Sequence, residues 1–80
     1  MSRARDVVEV VARALAARPT EVEVTEYERR GQMIVELTMA PGELGRVIGR
    51  QGRTAAALRT LAVTAGELDG QRVAVDFRDE

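Results

Sequence analysis

Gly45-Arg46-Val47-Ile48-Gly49-Arg50-Gln51-Gly52-Arg53 sets two glycines around a polar pair and arginines around the glycines. That pattern suits the gripping of an anionic chain. Glycine has no β-carbon, so a polynucleotide backbone can approach the main chain closely at 49 and 52. A helix starting just after Gly52 would point free N–H groups and the positive end of its dipole at phosphates. Arg50, with Gln51 beside it, adds charge or hydrogen bonds at the tip, and Arg46 and Arg53 flank the turn. Val47 and Ile48 are expected to give the adjoining surface an apolar strip for unstacked bases. Taken alone, Gly-x-x-Gly is a weak signal that also describes a plain helix-helix turn, so its surroundings must decide.

Other chemistries are poorly served. The chain has no cysteine and no histidine, which removes thiol nucleophiles, imidazole bases, disulfides and almost every zinc or haem site. Glu21, Glu23, Glu26 and Glu28 could imitate an acid/base or metal cluster, but their spacing splits them across a strand and a solvated face is the simpler reading. No catalytic residue, metal site, cofactor or small-molecule substrate is expected. The net charge is −1, unhelpful for a nucleic-acid binder as a sum, yet unevenly spread. Residues 42–60 carry a net +3 and the remainder −4. All twelve basic residues are arginine.

The elements that must position the glycine turn are legible from periodicity. Val7, Val8, Val11, Ala14 and Leu15 recur at helical spacing over residues 4–17, and Pro19 ends that helix. Val22 and Val24 alternate with Glu21, Glu23 and Thr25 as a half-buried strand, with Tyr27 out of phase and read as an exposed strand end. Gly31 supplies a turn, and Met33, Val35, Leu37 and Met39 then mark the inward side of a second, antiparallel strand. Pro41 suits the first position of a short helix over 42–48, with Glu43 in its positive first turn. Beyond the glycines a second helix sets Leu58, Leu61, Ala62 and Ala65 on one side, with Gly66 as its C-cap. Val73, Val75 and Phe77 form the inward face of a last strand.

The order is α-β-β-α-α-β, an α+β domain over residues 1–80 with three helices on one face of a three-stranded sheet. Eighty residues allow one core and no more. Glu21, Glu23, Glu36 and Asp76 should lie on the other, solvated face. The apolar runs are short and the N-terminus leads straight into a charged amphipathic stretch, so a soluble cytoplasmic protein is expected.

The Val-Ile-Gly-Arg-Gln-Gly-Arg stretch resembles the signature loop of KH domains, and the element order matches their bacterial, type II arrangement. Helix, hairpin, the run from Ala40-Pro41-Gly42-Glu43 through Gly49, and the terminal strand together resemble the short stand-alone KhpA family over nearly the whole chain. The resemblance implies a loop that clamps about four nucleotides of single-stranded RNA, with Gly49, Arg50, Gln51 and Gly52 on the backbone. It places the opposite groove wall at residues 72–75 and in the preceding loop, which holds Glu67 and Asp69. It also implies a homodimer, or a heteromer with a larger KH-containing protein of the KhpB type, acting as an RNA chaperone or post-transcriptional regulator. Two aromatic residues, Tyr27 and Phe77, are too few for a stacking platform of the RRM or OB type.

Two other readings fit some of the residues. A helix-turn-helix DNA binder would use the same glycine turn with Arg53 and Arg59 on its second helix, but that helix otherwise offers mainly alanines and threonines where base-reading side chains are needed. A protein-interaction module with vestigial RNA contact would suit the acidic remainder of the chain.

Overall fold

The computed structural model describes residues 2–79. Helix α1 (Arg3–Leu15) begins where the Ser2 Oγ accepts a hydrogen bond from the Arg5 N–H at 3.1 Å, satisfying one of the donors a helix start leaves free. Ala4, Val8 and Ala12, four residues apart, form its buried stripe. The helix stops earlier than the periodicity predicts, with Ala16 already extended at φ −75° and ψ 143°. Pro19 disfavours a helical Arg18, and the chain passes through a tight 3-10 turn, Pro19–Glu21, before the sheet.

Strands β1 (Glu23–Arg29) and β2 (Gln32–Met39) pair antiparallel from Glu23 opposite Thr38 to Arg29 opposite Gln32. Their two-residue link, Arg30-Gly31, has φ +53° and +78°, a type I′ turn whose twist matches the strands. Ala40-Pro41-Gly42-Glu43 then makes a type II turn, with Gly42 at φ +82° and the Glu43 N–H donating to the Ala40 carbonyl at 3.0 Å. Pro41 therefore belongs to this turn rather than to the helix, which runs only over α2 (Leu44–Ile48). Helix α3 (Arg53–Leu68) returns the chain along the sheet, and β3 (Val73–Asp79) pairs parallel to β2. The sheet order is β1-β2-β3, with all three helices on one face, as the periodicity predicts.

The core lies between the layers. Val24, Val35, Leu37, Met39, Val73 and Val75 from the sheet meet Val8, Ala12, Val47, Leu58 and Ala62 from the helices. Glu23 and Asp76 are exposed on the open face, with Glu36 half-buried there beside Arg78, whereas Glu21 sits in the 3-10 turn and off the sheet. Two expectations for α3 fail. Leu61 is 52% exposed, because the stripe that reaches the sheet is Ala55, Leu58, Ala62 and Ala65, and Leu61 lies at its edge. Gly66 is not a C-cap: it is buried inside the helix, where a β-carbon would collide with the Val73 side chain. The glycine is there so that α3 can press onto β3.

Glu43 is the one charged residue buried in the core among the described residues. Its carboxylate does not cap α2 but staples the α1–β1 connection, accepting from the Ala17 N–H, the Arg18 N–H at 3.2 Å and the Arg18 guanidinium at 3.2 Å. Burial pushes its pKa up, but the two backbone donors and Arg18 together outweigh burial and hold it below the usual carboxylate range. A depressed pKa stabilises the fold above the unfolded value, and that contribution is lost as the pH falls through the folded one. Acid unfolding of the wild type should thus steepen below the ordinary glutamate range. Glu43→Gln should lower Tm by several degrees at neutral pH and flatten that acid dependence, as followed by thermal melts across pH.

Candidate nucleic-acid interface

The glycine turn projects from the end of the helical layer. Helix α2 closes on Gly49, whose N–H donates to the Gly45 carbonyl at 2.9 Å and whose φ of +73° and ψ of 178° fall in a region open essentially to glycine alone. A β-carbon there would overlap Thr54 Oγ1 and lie 2.8 Å from Thr54 Cβ, so the first turn of α3 packs against the bare glycine. The turn continues through Arg50 and Gln51, and the Gly52 N–H donates back to the Gly49 carbonyl at 3.3 Å. Gln51 is left-handed at φ +57° and Gly52 follows at +72°. Two successive reversals therefore lift residues 50 and 51 into an exposed tip and start α3 at once behind them.

The charges around the tip are available. Arg53 reaches back and donates to Gln51 Oε1 at 3.0 Å, which orients the amide. Arg50, Arg53 and Arg59 make no ion pair among the described residues, while Arg46 lies 3.8 Å from Glu43 and stays more than half exposed. No side chain caps the start of α3 and no acid sits in its first turn, so its positive end faces outward uncompensated. Ile48 is half-buried beside the loop. Val47 is fully buried in the core, because the inward side of the short α2 must anchor it to the layer beneath. It supports the turn and offers no surface to a base.

The opposite wall is not where residues 72–75 would put it. Helix α3 runs antiparallel to β3: Arg59, in its first half, has its guanidinium 4.7 Å from the Phe77 ring centroid, and Gly66, near its end, abuts Val73. Val73 is thus separated from the glycine turn by most of α3, about 20 Å at 1.5 Å per residue. The turn therefore lies towards the C-terminal end of β3, on the Phe77 side of the strand. Periodicity does not announce the Arg59–Phe77 stack; its only trace in the sequence is that Arg59 belongs to the basic segment. Asp69 is also removed from the groove, since it pairs with Arg3 at 3.4 Å at the far end of α3.

Three helices on one face of a mixed sheet, with a Gly-x-x-Gly turn between the second and third, define a KH domain in the type II arrangement. The family model for the KH domain of KhpA and KhpB matches residues 5–77, and the chain belongs to that family. The RNA-binding protein KhpA of Aquifex aeolicus is 43% identical over 77 residues, 96% of this chain and 98% of its own length. The proteins of the same name from Caldanaerobacter subterraneus and Chlamydia muridarum are 42% and 37% identical, covering 90% and 88% of this chain and 96% and 90% of their own lengths. No solved structure gives a significant match.

Proposed function

We propose that this chain is a non-catalytic binder of single-stranded RNA that grips the phosphate backbone with Gly49, Arg50, Gln51 and Gly52. The carrying observation is Gly49: a backbone conformation closed to other residues, a β-carbon-free surface, and an uncapped helix start immediately behind it. Arg46 and Arg53 add charge at the flanks, and Ile48 supplies the apolar edge for a base. Membership of the KhpA/KhpB family, whose relatives carry the name RNA-binding protein, supports the ligand class. It leaves the helix-turn-helix reading without a basis. The test is competition among single-stranded RNA, duplex RNA and duplex DNA at two salt concentrations. Single-stranded RNA should win at both, and a preference for duplex DNA would refute the proposal.

The role this reading supports is that of an RNA chaperone or post-transcriptional regulator working in the cytoplasm, without metal, cofactor or small-molecule substrate. One four-nucleotide clamp binds weakly, and pairing two clamps raises avidity through effective concentration. Away from the loop, Val7, Val10, Val11 and Leu61 form an apolar strip across α1 and α3, with Val10 68% exposed, which supports pairing there. We assign this strip to a second copy of the chain, or to the KH domain of a larger KhpB-type partner. Leu61→Arg should convert a dimer to a monomer in sedimentation, with the circular dichroism unchanged. A wild type that stays monomeric at high concentration would dispose of the homodimer.

A further inference from the structure

The open face of the sheet carries a side-chain cluster that the glycine loop does not use. Strand register arranges that face in rows: Glu23, Thr38 and Arg78; Thr25, Glu36 and Asp76; Tyr27, Ile34 and Ala74; and, at the hairpin end, Arg29 with Gln32. Arg72, just before β3, joins this last row, and Arg29, Arg30, Gln32, Ile34 and Arg72 line a shallow concavity.

Its chemistry is that of an anion site with an apolar shoulder. Arg29, Arg30 and Arg72 make no ion pair among the described residues, although Glu36, further along the same face, is taken by Arg78 at 3.2 Å. Glu28 is the nearby acid, in a separate hollow behind the hairpin that it shares with Arg72, and the cluster keeps a net positive charge. Arg30 is held at φ +53° in a turn position where glycine, asparagine or aspartate costs less. The other non-glycine residue at positive φ among the described residues is Gln51, at the tip of the glycine loop. A long cation kept in strained backbone points to a residue needed for contact rather than for the turn. Tyr27, for its part, is not at a strand end. It is well inside β1, 43% exposed, paired across the sheet with Ile34 and followed by Ala74. An aromatic face on an apolar row beside three unpaired guanidinium groups matches the groups of a nucleotide: a base and its phosphates.

We propose that this cluster is a second nucleic-acid site, in which Arg29, Arg30 and Arg72 hold phosphates of single-stranded RNA and Tyr27 stacks on a base. It shares the ligand class of the function proposed above but none of its residues, and it lies most of the length of α3 from the glycine turn. With both sites filled, one chain holds two RNA segments, on its helical edge and on its sheet.

Tyr27 is the single tyrosine and the chain has no tryptophan, so intrinsic emission reports on this site alone. The probe is an unlabelled oligouridylate dodecamer titrated into the full chain. Tyrosine emission should fall by about half or more at saturation. Arg29→Gln/Arg72→Gln should move the midpoint to about tenfold higher RNA and reduce the salt slope by about 1.4, at about 0.7 per phosphate contact. Arg50→Asp/Gln51→Asp should keep the quench while losing binding of a labelled tetranucleotide. Unchanged emission, a quench indifferent to the arginine substitutions, or a quench that vanishes in the loop variant would each overturn a separate sheet site. If instead the loop variant still binds the tetranucleotide while the arginine-dependent quench persists, the loop reading falls and the sheet site stands.

Discussion

Arg50→Asp/Gln51→Asp should cost affinity for a labelled single-stranded tetranucleotide at least about 100-fold, roughly 2.8 kcal/mol at 1.4 kcal/mol per tenfold, without unfolding the chain. The tip charge changes by −3, two units at 50 and one at 51. Both side chains are exposed, neither belongs to the core, and position 51, left-handed at φ +57°, accepts aspartate at least as readily as glutamine. The helix start behind the loop would then lie under two carboxylates that repel phosphate where an arginine attracted it. The salt dependence of the residual binding should also weaken, by about 0.7 in slope for each phosphate that the variant no longer neutralises. Anisotropy with labelled RNA at several salt concentrations measures both, and unchanged circular dichroism shows that the fold has survived. A variant binding as well as the wild type would mean that the loop is only a turn.

The second large effect is on stability. Gly49→Ala should lose about 2–4 kcal/mol, combining a backbone region open essentially to glycine with a β-carbon that overlaps Thr54 Oγ1 and lies 2.8 Å from Thr54 Cβ. For a domain of this size that is a fall in Tm of about 10 °C or more. Gly52→Ala is the control. Its φ of +72° and ψ of 12° are ordinary left-handed values and nothing lies within 4 Å of the added carbon, so about 1 kcal/mol should be lost. Thr54→Ala in the Gly49→Ala background should recover part of the loss by removing the clash while leaving the dihedral strain. Equal losses at 49 and 52 would contradict the packing of Thr54 against the bare glycine.

The residues that defined the fold from sequence were those whose local signal agrees with the tertiary demand. Val22 and Val24, the Met33 to Met39 alternation, and the glycine pair each state a period or a break that packing merely follows. The misread residues answer to neighbours distant in the chain. Leu61 and Leu58 look equivalent by hydrophobicity, but α3 lies so close to the sheet that alanines and Gly66 take the central stripe. Leu61 is left at the edge, about 90° around the helix from the centre of that stripe. Glu43 looks like a helix-dipole partner until the α1–β1 connection brings the Ala17 and Arg18 donors to it. Val47 shares its apolar type with Ile48, and only the depth of α2 separates anchor from surface. The candidate loop itself was legible because glycines at fixed spacing state a backbone requirement directly. The hairpin-end arginines were not, since the register that joins Arg29 to Arg72 runs through β2 and does not exist along the chain.

The most direct measurement is amide chemical-shift mapping of the full chain titrated with a short single-stranded RNA. If the glycine turn is the clamp, large perturbations fall on the amides of Gly49, Arg50, Gln51 and Gly52 and on the first turn of α3, with smaller ones at Ile48 and Phe77, as a group apart from those at the hairpin end of the sheet around Arg29 and Arg72. If those amides stay still while RNA binds and shifts gather on the α1–α3 strip, the loop does not hold RNA and the proposed function is wrong.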